Sequence, residues 1–309
     1  MAELPKSRQT INNKWIFVVK RNPDGLIERY KARLVIKGCN QKSGIDYYDT
    51  FSPIARLETI RLILSITAKH NMKLKHFDVA SAFLNGHLEE EIFMKQPVGF
   101  EDGTNRVLKL KKCLYGLKQA SRCWNRKFNQ FMVSQGFSIS NEDPCVYFKI
   151  DGEEKIIIAL YIADGLVTAT TDEAMRKFIE ALEGNFKIVV KEATFYLGCE
   201  IHQGDGFITI NQVAFIKKLL EKYGMESCNL VATPMEHLRM EMGEKKETTF
   251  PYRSCVGALL YLAVGTRPDL AFSIGVLSRS LEHPTEADVG RLKRVLRYLS
   301  GTVNLSLVY

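Results

Sequence analysis

The chain has 309 residues, 46% of them apolar, and a formal net charge of +8. At roughly 150 residues per domain the length predicts about two domains or one multi-lobed unit, and the apolar content excludes a wholly disordered chain. The charge admits a polyanionic partner such as nucleic acid, although an ordinary basic protein carries the same excess. Seven cysteines stand singly, with no CxxC pair. They disfavour a disulfide framework or a zinc site and fit a reducing, intracellular compartment. The N-terminus has no apolar signal segment and no apolar stretch reaches transmembrane length, so no membrane partner is expected.

From Lys14 to Lys37 the pattern predicts a hairpin. The run Trp15-Ile16-Phe17-Val18-Val19 leads into the turn signal Asn22-Pro23-Asp24-Gly25. On the returning strand Arg29, Lys31, Arg33 and Lys37 fall on one face, with Tyr30, Ala32, Leu34 and Ile36 on the other. Four cations on one face suit an anionic partner, and also suit plain solvation. Ser52-Pro53 is expected to open a helix that buries Leu57, Ile60, Leu64 and Ala68. A short strand follows, roughly Lys73 to Val79. Residues 118–135 read as a helix with Ala120, Trp124, Phe128, Phe131 and Met132 on its apolar stripe, stopped by Gly136.

Ile156 to Ile162 is a continuous apolar run, and Ala163-Asp164-Gly165 is expected to turn it back into Leu166-Val167-Thr168, with a carboxylate at the tip. A helix capped at Thr171 and ended by Gly184 comes next, then helices near 212–223 and 288–299. The last carries Arg291, Lys293, Arg294 and Arg297. The polar stretch Glu236 to Thr249 is the best linker candidate. Strands and helices mixed without regular alternation predict an α+β fold.

Asp78, at the end of a strand, and Asp164, at a turn, could supply carboxylates from separate elements to one site, as two-metal phosphoryl transfer requires. Two such aspartates are weak grounds alone, because strand-end and turn aspartates are more often caps and turn formers.

Several ordered blocks carry more. They are KWIFVVKRNPDGLIERYKARLVIKG (14–38), FDVASAFLNGHLEEEIFMKQPVGF (77–100), LYGLKQASRCW (114–124), LYIADGLV (160–167), FYLGCEI (195–201), YRSCVGALLYLAVGTRPDLAF (252–272) and KRVLRYLSGT (293–302). In order and spacing, over about Asn13 to Val308, they resemble the reverse transcriptase of copia-type retrotransposon Pol polyproteins.

The resemblance implies a right-hand polymerase with fingers, an antiparallel palm sheet and a thumb. Fingers and palm would occupy residues 13–205, a thumb-like segment and linker 206–250, and a connection segment 251–309. It implies an RNA template, a DNA primer and deoxynucleotide triphosphates as partners, and two Mg ions as cofactor. Lys31 and Arg33 would face the triphosphate. Asp78 matches the first palm carboxylate, and Val79 would lend its carbonyl to a metal. Phe83 matches the residue that stacks under the sugar and excludes a 2′-hydroxyl, although by itself it reads as a core aromatic. Gly116, Lys118 and Gln119 lie in the block that supports nucleotide and template, whose usual proline is Ser121 here. Leu197, Gly198 and Glu200 resemble the primer grip.

One departure matters most. The family hairpin reads Tyr-Val-Asp-Asp, whereas this chain reads Tyr161-Ile162-Ala163-Asp164. Ala163 stands where the family's first aspartate bridges both metals, which implies weakened metal binding and impaired activity. The family's ribonuclease H domain would follow the 293–302 block, so the chain is expected to be a fragment or a degenerate copy. The readings left open are an active enzyme, a non-catalytic nucleic-acid-binding remnant, and a relic without a role.

Overall fold

The protein is described here as a computed structural model covering residues 1–21, 26–236 and 248–309. The turn expected at Asn22 to Gly25 lies outside the described residues, as does most of the stretch from Glu236 to Thr249. The strands in chain order are β1 (Thr10–Ile11), β2 (Asn13–Arg21), β3 (Ile27–Ile36), β4 (Lys73–Val79), β5 (Phe93–Met94), β6 (Leu108–Lys109), β7 (Ser138–Ile139), β8 (Val146–Asp151), β9 (Glu154–Tyr161), β10 (Asp164–Ala169), β11 (Ile188–Glu192), β12 (Phe195–Tyr196), β13 (Cys199–Gly204), β14 (Phe207–Asn211) and β15 (Leu307–Val308). The helices are α1 (Leu57–Lys69), α2 (Ala120–Ser134), α3 (Asp172–Glu183), α4 (Val213–Lys222), α5 (Tyr252–Gly265), α6 (Ala271–Leu277) and α7 (Glu286–Gly301). The fold is thus mixed helix and sheet, with β7 to β10 joined by antiparallel pairings. No described helix is long and apolar enough to cross a membrane.

The chain divides into two compact units. The first comprises Met1–Arg56 and Lys75–Lys191. Its centre is a six-stranded sheet in the order β11-β4-β10-β9-β8-β7. Phe77 and Val79 of β4, with Val167 and Ala169 of β10, bury against Trp124, Phe128 and Met132 of α2 and Met175, Phe178 and Leu182 of α3. These helix residues are the stripes read from spacing, and burying each large side chain is worth about 1.5–3 kcal/mol. Thr171 caps α3 by accepting from the Ala174 amide at 3.1 Å. The separate β2–β3 ribbon pairs Ile16 with Arg33, Val18 with Lys31 and Lys20 with Arg29, so these six side chains share one face.

Two expectations about local structure are corrected. The helix expected to open at Ser52-Pro53 begins at Leu57; Ser52 instead donates its hydroxyl to the Ser121 carbonyl at 3.2 Å, within a loop. The hairpin turn expected at Ala163-Asp164-Gly165 falls earlier. Tyr161 pairs with Asp164, which leaves Ile162 and Ala163 as the two turn residues and makes Asp164 the first residue of β10. Ile162 takes φ +57, a strained conformation for a β-branched residue. Its carbonyl accepts a 2.6 Å hydrogen bond from the buried Trp124 indole, which holds the turn. Gly165 is needed inside the strand: a Cβ there would lie 2.0 Å from the Phe77 ring.

The second unit comprises Leu57–Leu74 and Glu192–Tyr309. It holds the four-stranded sheet β12-β13-β14-β15 and a helical core drawn from α4, α5, α6 and α7. Arg267 is 1% exposed there. It makes a two-pronged ion pair with Asp269, at 3.0 and 2.7 Å, and donates to the carbonyl and hydroxyl of Thr302 at 3.0 and 2.7 Å.

Candidate active site

The candidate site lies in the first unit, on the sheet face opposite α2 and α3. Along β4 and β10 the odd-numbered side chains bury toward the helices, so His76, Asp78 and Asp164 share the other face. The Val79 amide donates to the Ala163 carbonyl at 2.9 Å, which ties the Asp78 end of β4 to the turn. Asp78 is exposed, and the Asp164 side chain is 48% exposed with Oδ1 3.5 Å from His76 Nε2. Ala163 is half-buried, and its methyl packs at the margin of the helical core.

The cationic face of the β2–β3 ribbon supplies Lys31 and Arg33, both half-buried. Burial lowers the Lys31 pKa, the neighbouring cations Arg33, Arg29 and Lys20 lower it further, and the charge of Asp78 partly offsets them. Asp78 and the cationic ribbon therefore act on each other. The Arg33 guanidinium lies 5.6 Å from the Tyr115 ring centre, and Tyr115 lies 4.9 Å from the Phe83 ring. Phe83 sits in a short 3-10 turn, Ala82–Asn85, that follows Ser81 at φ +54. Burial raises the Tyr115 pKa, with Arg33 and Asp78 acting in opposite senses. Asp78, Lys31, Arg33, Phe83 and Tyr115 thus form one connected group. Tyr115, between Leu114 and Gly116, was not among the expected site residues; its only signal in the sequence is its place in the 114–124 block.

Gly116 positions that block. At φ +95 its Cα packs on the end of β3, where a Cβ would lie 2.1 Å from the Ile36 carbonyl oxygen. A Cβ on Gly38 would lie 2.1 Å from the Gly116 carbonyl oxygen, so the two glycines interlock. The Ile36 amide donates to the Tyr115 carbonyl at 2.9 Å. Lys118 lies over the Tyr47 ring at 4.8 Å and reaches its hydroxyl at 3.3 Å. Gln119 is 1% exposed, and its amide group is spent internally. Its Nε2 donates to the Asp46 carbonyl at 2.8 Å, and its Oε1 accepts from Gln41 at 3.0 Å. Gln119 therefore braces the 38–47 loop and does not join the group around Asp78.

Leu197, Gly198 and Glu200 belong to the second unit. Leu197 and Gly198, at φ +48 and +83, form the two-residue turn between β12 and β13. The Tyr261 hydroxyl occupies the space a Gly198 side chain would need, 2.1 Å from the Cβ position. Glu200 accepts from the Ala214 amide at 2.9 Å, at the N-terminal end of α4.

A two-ion magnesium centre needs several hard oxygen donors. Among the described residues no group of three or more His, Cys, Asp and Glu could hold a metal ion. Asp78 and Asp164 alone, with Asp164 turned to His76 and a methyl group at position 163, do not fit such a centre.

A family model described as reverse transcriptase (RNA-dependent DNA polymerase) matches residues 1–237. The retrovirus-related Pol polyprotein from transposon TNT 1-94 of Nicotiana tabacum is 40% identical over 100% of this chain and 24% of its own length. The corresponding polyprotein from transposon RE1 of Arabidopsis thaliana is 37% identical over 97% of this chain and 21% of its own length. A putative transposon Ty5-1 protein of Saccharomyces cerevisiae is 32% identical over 75% of this chain and 78% of its own length. The chain thus spans about a quarter or less of the two plant polyproteins. The chain belongs to the reverse transcriptase family of copia-type retrotransposon Pol polyproteins.

Proposed function

We propose that the chain is an RNA-directed DNA polymerase by architecture, arrested at the chemical step while its nucleotide-facing and nucleic-acid-facing groups are retained. The observation that carries the reading is the 2.9 Å hydrogen bond between Val79 and Ala163. It fixes the strand of Asp78 beside a turn in which a methyl group replaces a carboxylate. In phosphoryl transfer the developing charge is stabilised by metal ions at fixed points. Asp78 and Asp164 supply too few donors for a pair of ions.

In this reading the β2–β3 ribbon serves as fingers and the six-stranded sheet as palm. Residues 206–250 serve as a thumb-like segment, and 251–309 as a connection. Lys31 and Arg33 receive the triphosphate of a deoxynucleotide, and Phe83, braced by Tyr115, lies under its sugar. An RNA template and a DNA primer are the macromolecular partners. The cationic ribbon face and the net charge of +8 support binding to them without turnover.

The test is primer extension on an RNA template beside a template-binding assay. The unmodified chain should bind the hybrid and extend near background, whereas Ala163→Asp should extend clearly above it. Strong extension by the unmodified chain, abolished in Asp164→Asn, would mean that Asp164 has taken over and the reading is wrong.

A further inference from the structure

The β2–β3 ribbon has two unlike faces. Lys20, Arg29, Lys31 and Arg33 share one. The opposite face pairs Trp15 with Leu34, Phe17 with Ala32 and Val19 with Tyr30, so it is apolar and carries no carboxylate at these positions. Glu28 falls in the bulge between the pairs of Arg29 and Ile27. Phe17 and Tyr30 are 75 and 77% exposed in the folded chain, and Phe100, from the loop after β5, is 71% exposed. An apolar face left this open in a finished fold marks a binding surface.

The rings on this face form a row. Phe17 and Trp15 lie 6.3 Å apart with their planes 19° from parallel, and Phe100 lies 5.7 Å from Trp15. The Trp15 indole donates to the Val98 carbonyl at 3.0 Å, which fixes that ring. Side chains two apart on a strand repeat at about 6.8 Å, twice the roughly 3.4 Å between nucleotides of one strand, so the row keeps step with every second base. Rings in step with bases, with cations close by, are what an unpaired nucleic-acid strand requires. The ribbon is two strands wide, with backbones about 4.8 Å apart. The exposed Lys20 and Arg29 can therefore reach round its edges to the phosphates of a strand lying on the rings. The carboxylates that follow Phe100 are engaged: Glu101 accepts from the Gly99 amide at 2.7 Å, and Asp102 pairs with Arg106 at 2.7 Å.

We propose that the aromatic face of the β2–β3 ribbon, together with Phe100, binds an unpaired RNA strand by stacking, as a contact separate from the Asp78 face. The choice of RNA rests on the polymerase reading above. Every base offers a flat π-face, so this contact has no sequence preference.

The chain has two tryptophans, and Trp124 is 1% exposed, so a ligand-dependent change in emission reports Trp15. Titrating the 309-residue chain with a short oligouridylate should quench that emission. Phe17→Ala with Tyr30→Ala should weaken oligouridylate binding about tenfold, while Phe17→Tyr keeps it. Binding to a blunt RNA–DNA hybrid should be the same in all three chains. Unquenched emission, or equal oligouridylate affinity in the double variant, would overturn the proposal. So would a concentration-dependent dimer abolished in the double variant, which would assign the face to a second copy. Quenching by oligouridylate with no binding of the blunt hybrid would uphold the face and remove the polymerase reading instead.

Discussion

At the scale of single residues, two positions near the turn carry opposite lessons. Gly165 looked like a turn former but serves as a vacancy for Phe77, whose ring is completely buried and lies 6.1 Å from Phe178. Gly165→Ala should destabilise the chain by about 2–3 kcal/mol through overpacking, and Phe77→Leu in the same chain should recover part of the loss. Chemical denaturation of the two variants checks this. Ala163 is the reverse case, a small residue where the proposed function calls for a charged one. Loss of a bridging carboxylate is worth about 3–4 kcal/mol of barrier, or a few hundred-fold in rate, and that is the gain Ala163→Asp should return. Because the Ala163 methyl packs at a core margin, the new carboxylate should also lower stability by about 1 kcal/mol. A rate gain with no loss of thermal midpoint would show that the position is wetter than its packing implies.

At the scale of elements, spacing made the amphipathic pieces legible. The α2 stripe from Ala120 to Met132 and the Thr171 cap of α3 were readable because one face is buried and the other wet. Helix α5 was missed as an element, because Tyr252, Cys255, Val256 and Leu259 bury while Leu260, Tyr261 and Val264 stay at least 42% exposed, so no polar face marks its period. Tertiary reach was also invisible. The arginines of α7 are engaged within the protein: Arg291 with Asp288 at 3.0 Å, Arg294 with Thr233 and Glu236, and Arg297 with the Asn229 carbonyl. The Asp78 group was legible only through the resemblance, since no local pattern ties Lys31 to Asp78 across the intervening chain.

The same helix carries a pH dependence. Thr285 and Asp288 form a reciprocal cap, and burial of Asp288 is outweighed by its hydrogen bonds to Thr285 and the charge of Arg291, so its pKa is lowered. Burial of Asp269 is likewise outweighed by Arg267, and its pKa is lowered too. A carboxyl whose folded pKa is depressed stabilises above its unfolded value, about 3.9, and that stability is lost as pH falls through the folded value. Stability should therefore hold from neutral pH to about 5 and decline below about 4, with a shallower decline in Asp269→Asn. Acid titrations followed by circular dichroism read both curves. Thr285→Ala should cost about 1 kcal/mol at neutral pH.

At the scale of the whole molecule, the free cationic surface is narrower than a net charge of +8 suggests, because α7 spends its cations inside its own unit. Binding to an RNA–DNA hybrid should rest on the ribbon face of Lys20, Arg29, Lys31 and Arg33. With about four phosphate contacts, affinity should fall roughly a hundredfold between about 50 and 200 mM salt. Arg29→Ala with Lys31→Ala should flatten that slope by about two contacts, whereas Arg297→Ala should leave it unchanged. Filter binding across a salt series distinguishes them, and equal slopes in all three chains would remove the ribbon from the interface.

The interlocked glycines set the order in which this molecule can assemble. Gly38 and Gly116 are far apart in the chain, yet neither tolerates a side chain against the other's neighbourhood. A two-stranded ribbon is only marginally stable in water, so the β2–β3 ribbon should not persist while it awaits its distant seat. During synthesis its apolar residues Leu34 and Ile36, which pack in one cluster with Leu117 in the folded chain, would stay uncovered until the Gly116 segment has emerged. Closure over so long a separation is slow. Pulsed hydrogen exchange should therefore find the Ile36 and Leu117 amides gaining protection together, in a late kinetic phase, after those of α2 and α3.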